Sequence, residues 1–166
     1  MSQPKTATIR PARPDDVPTI ASLIRELAVY EKLEDQAKAT DEDLARHLFG
    51  DRPAAEVLIA EVEGAPVGFA LFFSTFSTFR GQPGIYLEDL FVRPEHRGKG
   101  IGKALLASLA KLAVDRDCGR LEWAVLDWNT PSIEFYRSQG AVPMDEWTVF
   151  RVADSALIRL GKYCEN

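Results

Sequence analysis

Three glycines at two-residue spacing, in Arg97-Gly98-Lys99-Gly100-Ile101-Gly102, stand between an apolar strand candidate and a long amphipathic helix candidate. The run Ile85 to Val92 is apolar and β-rich, and Arg93-Pro94-Glu95-His96 is a turn. A helix from about Gly98 carries Ile101, Leu105, Leu109 and Leu112 on one face. This order predicts an α/β chain with the glycines at a helix N-terminus. Up to four N–H groups there lack helical partners, the helix dipole adds positive potential, and the absent side chains admit a ligand to the backbone. A pyrophosphate is the natural guest, and Arg97, Lys99 and Lys103 supply flanking charge. The spacing is not a P-loop, and the third glycine comes one residue early for a dinucleotide fingerprint.

The rest of the chain reads as one continuous α/β unit, residues 1 to 166. Thr8 to Pro11 is a first strand, and Asp15 or Asp16 caps a helix whose Ile20, Leu23, Ile24 and Leu27 face inward. Thr40 with Asp43 predicts a capping-box start for a second helix, stopped by Gly50 to Pro53. Glu56 to Val62 and Pro66 to Phe73 read as a hairpin across Glu63-Gly64, followed by a long polar loop, Ser74 to Pro83. Cys118-Gly119 ends the glycine-loop helix and Leu121 to Leu126 is a strand. Thr130-Pro131 opens a short helix closed by Gly140, Trp147 to Val152 is a last strand, and Asp154 to Gly161 is a terminal helix.

Composition narrows the class of function. At 166 residues, 46% hydrophobic, the chain fits one core that buries roughly 70% of its unfolded surface. No run of about 18 apolar residues is present, and Met1 to Thr8 is short and polar, so a cytoplasmic protein without a membrane partner is expected. A net charge of −5 disfavours nucleic acid and favours a cationic small molecule. Cys118 and Cys164 lack metal-site spacing, and no metal is expected.

The spacing R-x-x-G-x-G resembles the acyl-CoA signature of the GNAT N-acetyltransferases. The stretches Leu27 to Leu33, Tyr86-Leu87-Glu88-Asp89, Val125 to Asn129 and Pro131 to Tyr136 are similar to the diamine acetyltransferase group, which includes spermidine/spermine and thialysine acetyltransferases. The resemblance implies a mixed, mostly antiparallel twisted sheet flanked by helices, acetyl-CoA as cosubstrate, and a homodimer. It further implies that Arg97, Gly98, Lys99, Gly100, Ile101, Gly102 and Lys103 hold the CoA pyrophosphate. Leu90, Phe91 and Val92 then offer main chain to the pantetheine, and Asn129, Thr130, Pro131, Ser132 and Tyr136 contact CoA.

Acetyl transfer needs a neutral amine. At an ordinary pKa near 10.4, deprotonating a lysine-type amine at pH 7 costs about 4.6 kcal/mol, at roughly 1.36 kcal/mol per unit. A base or water relay must offset that. Glu88, in the middle of Tyr86-Leu87-Glu88-Asp89-Leu90-Phe91-Val92, is the leading candidate because an unpaired carboxylate in an apolar run is costly. Adjacent strand residues face opposite sides, so one of Glu88 and Asp89 is expected to be solvated. The resemblance gives both to the cationic substrate, makes Tyr136 the acid for the departing thiolate, and adds Tyr30, Glu31, Glu122, Trp123 and Ala124 as substrate contacts. Tyr30 or Trp147 offers a face on which a cation stacks. His47 and His96 have no visible partner and are not expected to be the base.

Polyamine-specific relatives carry an Asp and a Trp before the catalytic strand, where this chain has Ser77 and Phe79. Losing that carboxylate favours a lysine-like amino acid or a short diamine over a long polycation. Two alternatives remain open: a protein-lysine acetyltransferase, and an acyl-CoA-binding module without catalysis.

Overall fold

The computed structural model describes residues 7–165. Its contacts divide the chain into two compact units, residues 1–124 and 125–166. The first holds an open sheet in the order β1-β2-β3-β4-β5. The strands are β1 (Thr8–Pro11), β2 (Glu56–Val62), β3 (Ala65–Ser77), β4 (Gln82–Val92) and β5 (Leu121–Trp123). Neighbours β1 to β4 pair antiparallel, and β5 lies parallel to β4 over Ile85 to Leu87. The expected mixed, mostly antiparallel sheet is present.

Two helices, α1 (Val17–Glu31) and α2 (Asp41–Phe49), cover one face of the sheet. There Val17, Ile20, Leu23, Leu27, Leu44 and Leu48 pack with Val57, Ile59, Phe69 and Phe91. Side chains alternate along each strand, which turns Leu58, Ala70 and Phe72 to the other face. That face packs against α3 (Ile101–Asp115), where Ile101, Leu105 and Leu109 are buried. Each fully buried side chain of this size contributes about 1.5–3 kcal/mol, so the two helical faces fix the sheet between them.

Local signals place several boundaries. The Thr40 hydroxyl accepts from the Asp43 N–H (3.1 Å) while the Asp43 carboxylate accepts from the Thr40 N–H (3.1 Å), the expected capping box of α2. Glu63 and Gly64, at φ 53° and 78°, make the two-residue turn that joins β2 to β3. Asp16, by contrast, does not cap α1 with its side chain, which goes to Arg10 at 2.7 Å. Helix α3 ends at Asp115, and the left-handed residue that closes it is Asp117, not Gly119. The Cys118 and Asp117 N–H groups donate back to Ala113 and Val114 carbonyls at 2.8 and 3.1 Å.

Three expectations are corrected. The polar stretch Ser74 to Pro83 is not a long loop. Strand β3 continues to Ser77, Thr78 to Gly81 turn, and β4 resumes at Gln82, because Phe76 and Ser77 still find partners in Pro83 and Gln82. Strand β5 stops at Trp123 rather than Leu126, where its pairing with β4 ends. Trp147 to Val152 is not a strand. Its apolar residues have β propensity but no ladder partner among the described residues, and Trp147, Val149 and Phe150 are exposed. The second unit instead contains α4 (Thr130–Ser138) and α5 (Asp154–Gly161).

Candidate active site

Strand β4 carries the defining irregularity. Leu71 pairs with Asp89 and Phe72 with Leu87, so Glu88 is an extra residue with no opposite number, a β-bulge. The bulge reverses the parity of the strand. Leu87 partners Phe72, on the α3 face, whereas Asp89 partners Leu71, which packs with the α1 and α2 core. Glu88 is exposed and Asp89 is the sequestered carboxylate. The costly position that strict alternation assigns to Glu88 thus belongs to its neighbour.

Burial pushes the Asp89 carboxyl up to about 6, with further upward contributions from the charges of Glu88 and Glu31. Glu31 is the last residue of α1, and its carboxyl is raised by burial. Tyr86, stacked on Phe73 at 5.2 Å, has its hydroxyl raised by burial and by Glu88 and Glu122. Glu31, Glu88 and Asp89 therefore form a group of like charge at the β4 bulge, which an ammonium ion relieves, while Glu122, across from Tyr86, is paired with Arg120. Among the described residues, no group of three or more His, Cys, Asp or Glu side chains is placed to hold a metal ion.

The glycine loop lies next along the chain. Gly98 and Gly100 adopt φ 72° and 79°, which L side chains rarely take, and no atom lies within 4 Å of where a Cβ would stand at either. The first bond of α3 runs from the Ala104 N–H to the Gly100 carbonyl at 2.9 Å, leaving the N–H groups of Ile101, Gly102 and Lys103 without helical acceptors. The side chains of Arg97, Lys99 and Lys103 are exposed, and the first two bond to nearby main chain. Arg97 donates from Nε to the Val92 carbonyl (2.7 Å), with its guanidinium 4.4 Å from the Tyr30 ring centre and 5.4 Å from that of Phe91. Lys99 Nζ donates to the Glu95 carbonyl at 2.9 Å. Unpaired main-chain N–H groups and exposed cationic side chains thus stand together at the start of α3, with Arg97 tying the loop to α1.

Because β5 pairs with β4 only from Ile85 to Leu87, the β5-facing edge of β4 has, among the described residues, no strand beside it from Glu88 to Val92. The main chain of Leu90 and Phe91 lies on that stretch. The Val92 carbonyl is already engaged by Arg97.

Other expected residues fall elsewhere. Ser77 is buried at the β3–β4 turn, where its hydroxyl accepts from the Arg80 N–H at 3.3 Å. It is six strand residues from Leu71, the partner of Asp89, or about 20 Å along the sheet. Trp123 is half-buried in β5 and Ala124 exposed. In the second unit, the Asn129 side chain caps α4, accepting from the Ser132 N–H at 3.4 Å. Thr130 and Pro131 start that helix and half-buried Tyr136 lies in it, its ring 5.3 Å from that of Phe135. Trp147 is exposed. Sequence reasoning passed over Arg120, whose Nε donates to Glu122 Oε2 at 2.7 Å.

The profile of the Acetyltransferase (GNAT) family matches residues 25–141. The chain belongs to the GNAT acetyltransferase family. It is 41% identical to a thialysine N-epsilon-acetyltransferase of Bos taurus over 164 residues, covering 92% of this chain and 96% of that one. It is also 34% identical to an L-ornithine N5-acetyltransferase of Arabidopsis thaliana, covering 93% and 87%. Among solved structures, an integron cassette protein from V. cholerae superposes with a TM-score of 0.80 at 30% identity, covering 94% and 98%. As a GNAT protein the chain is an N-acetyltransferase, and enzymes of this family use acetyl-CoA. None of its described helices is long and apolar enough to cross a membrane.

Proposed function

We propose that this GNAT enzyme transfers the acetyl group of acetyl-CoA directly, in a ternary complex, to the side-chain amine of a lysine-like amino acid or a short diamine. The carrying observation is Asp89, sequestered at the β4 bulge beside Glu31 and Glu88 with its carboxyl pushed up to about 6. Such a site gains by taking in a cation. Likeness to thialysine and ornithine acetyltransferases favours an amino-acid substrate.

In this reading Asp89 and Glu31 hold the substrate ammonium, and exposed Glu88 takes its proton through water. The neutral amine forms the new C–N bond as the thioester C–S bond breaks. Tyr136, carried over from the motif match, protonates the thiolate, and the second proton that the nitrogen sheds as the amide forms passes through water to restore the Tyr136 hydroxyl. The amides of residues 98 to 103 hold the pyrophosphate and the open edge of β4 takes the pantetheine. Tyr30 orders the amine side of the site, while Trp123, Ala124 and Trp147 flank the substrate. Residues 1 to 166 act as one functional domain in the cytoplasm, with neither nucleic acid nor membrane as partner. The working form is a homodimer, consistent with exposed Val142, Met144, Trp147, Val149 and Phe150.

The test is release of free CoA from acetyl-CoA across lysine, thialysine, ornithine, putrescine, cadaverine, spermidine, spermine and a lysine-containing peptide, with the product identified by mass spectrometry. Acetylation of short amines on the side-chain nitrogen is expected. Preference for the peptide favours a protein acetyltransferase, and acetyl-CoA binding without turnover of any amine leaves only a binding module.

A further inference from the structure

The face of the sheet that carries Asp89 continues beyond it. Phe73 lies two residues along β3 from Leu71, the partner of Asp89, and pairs with Tyr86, which in turn pairs with Glu122 on β5. Glu122 therefore stands about 7 Å along the sheet and one strand, about 5 Å, across from Asp89. Two residues before it, Arg120 bonds from Nε to Glu122 Oε2 at 2.7 Å. The Arg120 stem lies over Gly84, with Cγ 3.3 Å from where a Cβ would stand, and a Cβ there would also press on Thr75 Oγ1. Gly84 pairs with Thr75, two residues beyond Phe73, so Arg120, Glu122, Tyr86 and Asp89 share one face. The Ile85 N–H donates to the Arg120 carbonyl at 3.1 Å, which fixes that register.

We propose that the Arg120–Glu122 pair is the subsite for the α-amino-acid head group, and so the determinant of specificity between an amino acid and its decarboxylated diamine. This rests on the reading that Asp89 holds the reacting amine. The head group of an α-amino acid is a zwitterion, and the pair presents the matching charges. The planar guanidinium takes the carboxylate and the Glu122 carboxylate takes the α-ammonium. A lysine-type chain spans about 6 Å from side-chain nitrogen to Cα when extended, which suits a backbone separation of roughly 8 Å between Asp89 and Glu122. A diamine instead presents a second cation with no carboxylate for the Arg120 guanidinium, so it meets a positive charge with nothing to offset it. Both side chains are open to solvent, at 41% and 36% exposure, so they are available to a ligand and contribute little to stability as an ion pair.

The experiment compares kcat/KM for two pairs, lysine with cadaverine and ornithine with putrescine, in the wild type, Arg120→Gln and Arg120→Lys. The wild type is expected to favour the amino acid of each pair. Arg120→Gln removes the partner of the carboxylate and frees Glu122 for a second ammonium. The ratio of amino acid to diamine is therefore expected to fall roughly tenfold or more, with Arg120→Lys between the two. Thermal unfolding of the variants, measured alongside, is expected to match the wild type. A wild type that favours the diamines, or a ratio unmoved by Arg120→Gln while amines are still acetylated, overturns this subsite alone. Failure of the wild type to acetylate any amine overturns the proposed function and this subsite with it.

Discussion

Replacing Asp89 by Asn separates what the site costs from what it does. The change keeps the size of the side chain and removes a charge that burial, Glu88 and Glu31 all disfavour. Raising the carboxyl from 3.8 to about 6, at about 1.36 kcal/mol per unit, corresponds to about 3 kcal/mol of native-state cost once the group is ionised. Access of water to the site makes that an upper bound, and a gain of about 1–3 kcal/mol is expected. For a chain of this length it raises the unfolding temperature by roughly 2 to 10 °C. The sign depends on pH. Above pH 6 Asp89 is ionised in both native and unfolded states and the full cost is present. As pH falls from 6 toward 3.8 the native state holds a proton that the unfolded state has lost, so the cost shrinks. Below 3.8 both are protonated and it vanishes. Unfolding of wild type and Asp89→Asn, without ligand, at pH 8 and near pH 4 reads this directly by circular dichroism. A variant no more stable than wild type at pH 8, or one with an advantage independent of pH, refutes the assignment of Asp89 as the strained carboxylate.

Two further outcomes are expected. Gly100→Ala forces a side chain into a left-handed conformation, at about 1–2 kcal/mol, and projects a methyl into space that no protein atom occupies. Calorimetry should show acetyl-CoA affinity reduced beyond that loss of stability, and unchanged affinity in the folded variant removes the loop from the pyrophosphate site. Tyr136→Phe should lower kcat by roughly 10²-fold with acetyl-CoA affinity preserved, the scale of a general acid. A kcat within a factor of about two, with chemistry rate-limiting, makes Tyr136 a packing residue.

Legibility in the sequence followed the range of the interactions involved. The Thr40–Asp43 box and the Glu63-Gly64 turn are set by residues within a few positions of one another and stand where the sequence predicts them, whereas α3 starts at Ile101 rather than near Gly98, because left-handed Gly98 and Gly100 keep the loop out of the helix. The bulge at Glu88 depends on how β3 registers against β4, and nothing in Leu87-Glu88-Asp89 marks the skipped pair. Period-two alternation therefore exchanged the environments of Glu88 and Asp89. The polar side chains of Ser74 to Ser77 concealed a strand held by its partner β4. The charge of Arg97 is visible in sequence, whereas the Tyr30 ring and Val92 carbonyl that it contacts are not. Arg120 escaped notice for the same reason, since its meaning comes from Glu122 beside it and Gly84 beneath it.

The most direct test of the amine site is steady-state kinetics of Glu88→Gln, Asp89→Asn and the double variant on whichever amine the wild type acetylates best, with KM for acetyl-CoA measured in parallel. Loss of the charges that hold the ammonium and remove its proton should lower kcat/KM for the amine by roughly 10²-fold, most severely in the double variant, with the KM for acetyl-CoA little changed. Glu88→Gln should also move the rate profile to higher pH, because the amine then loses its proton in bulk water. Retention of the parental kcat/KM and pH profile in all three variants contradicts the placement of the amine at the β4 bulge.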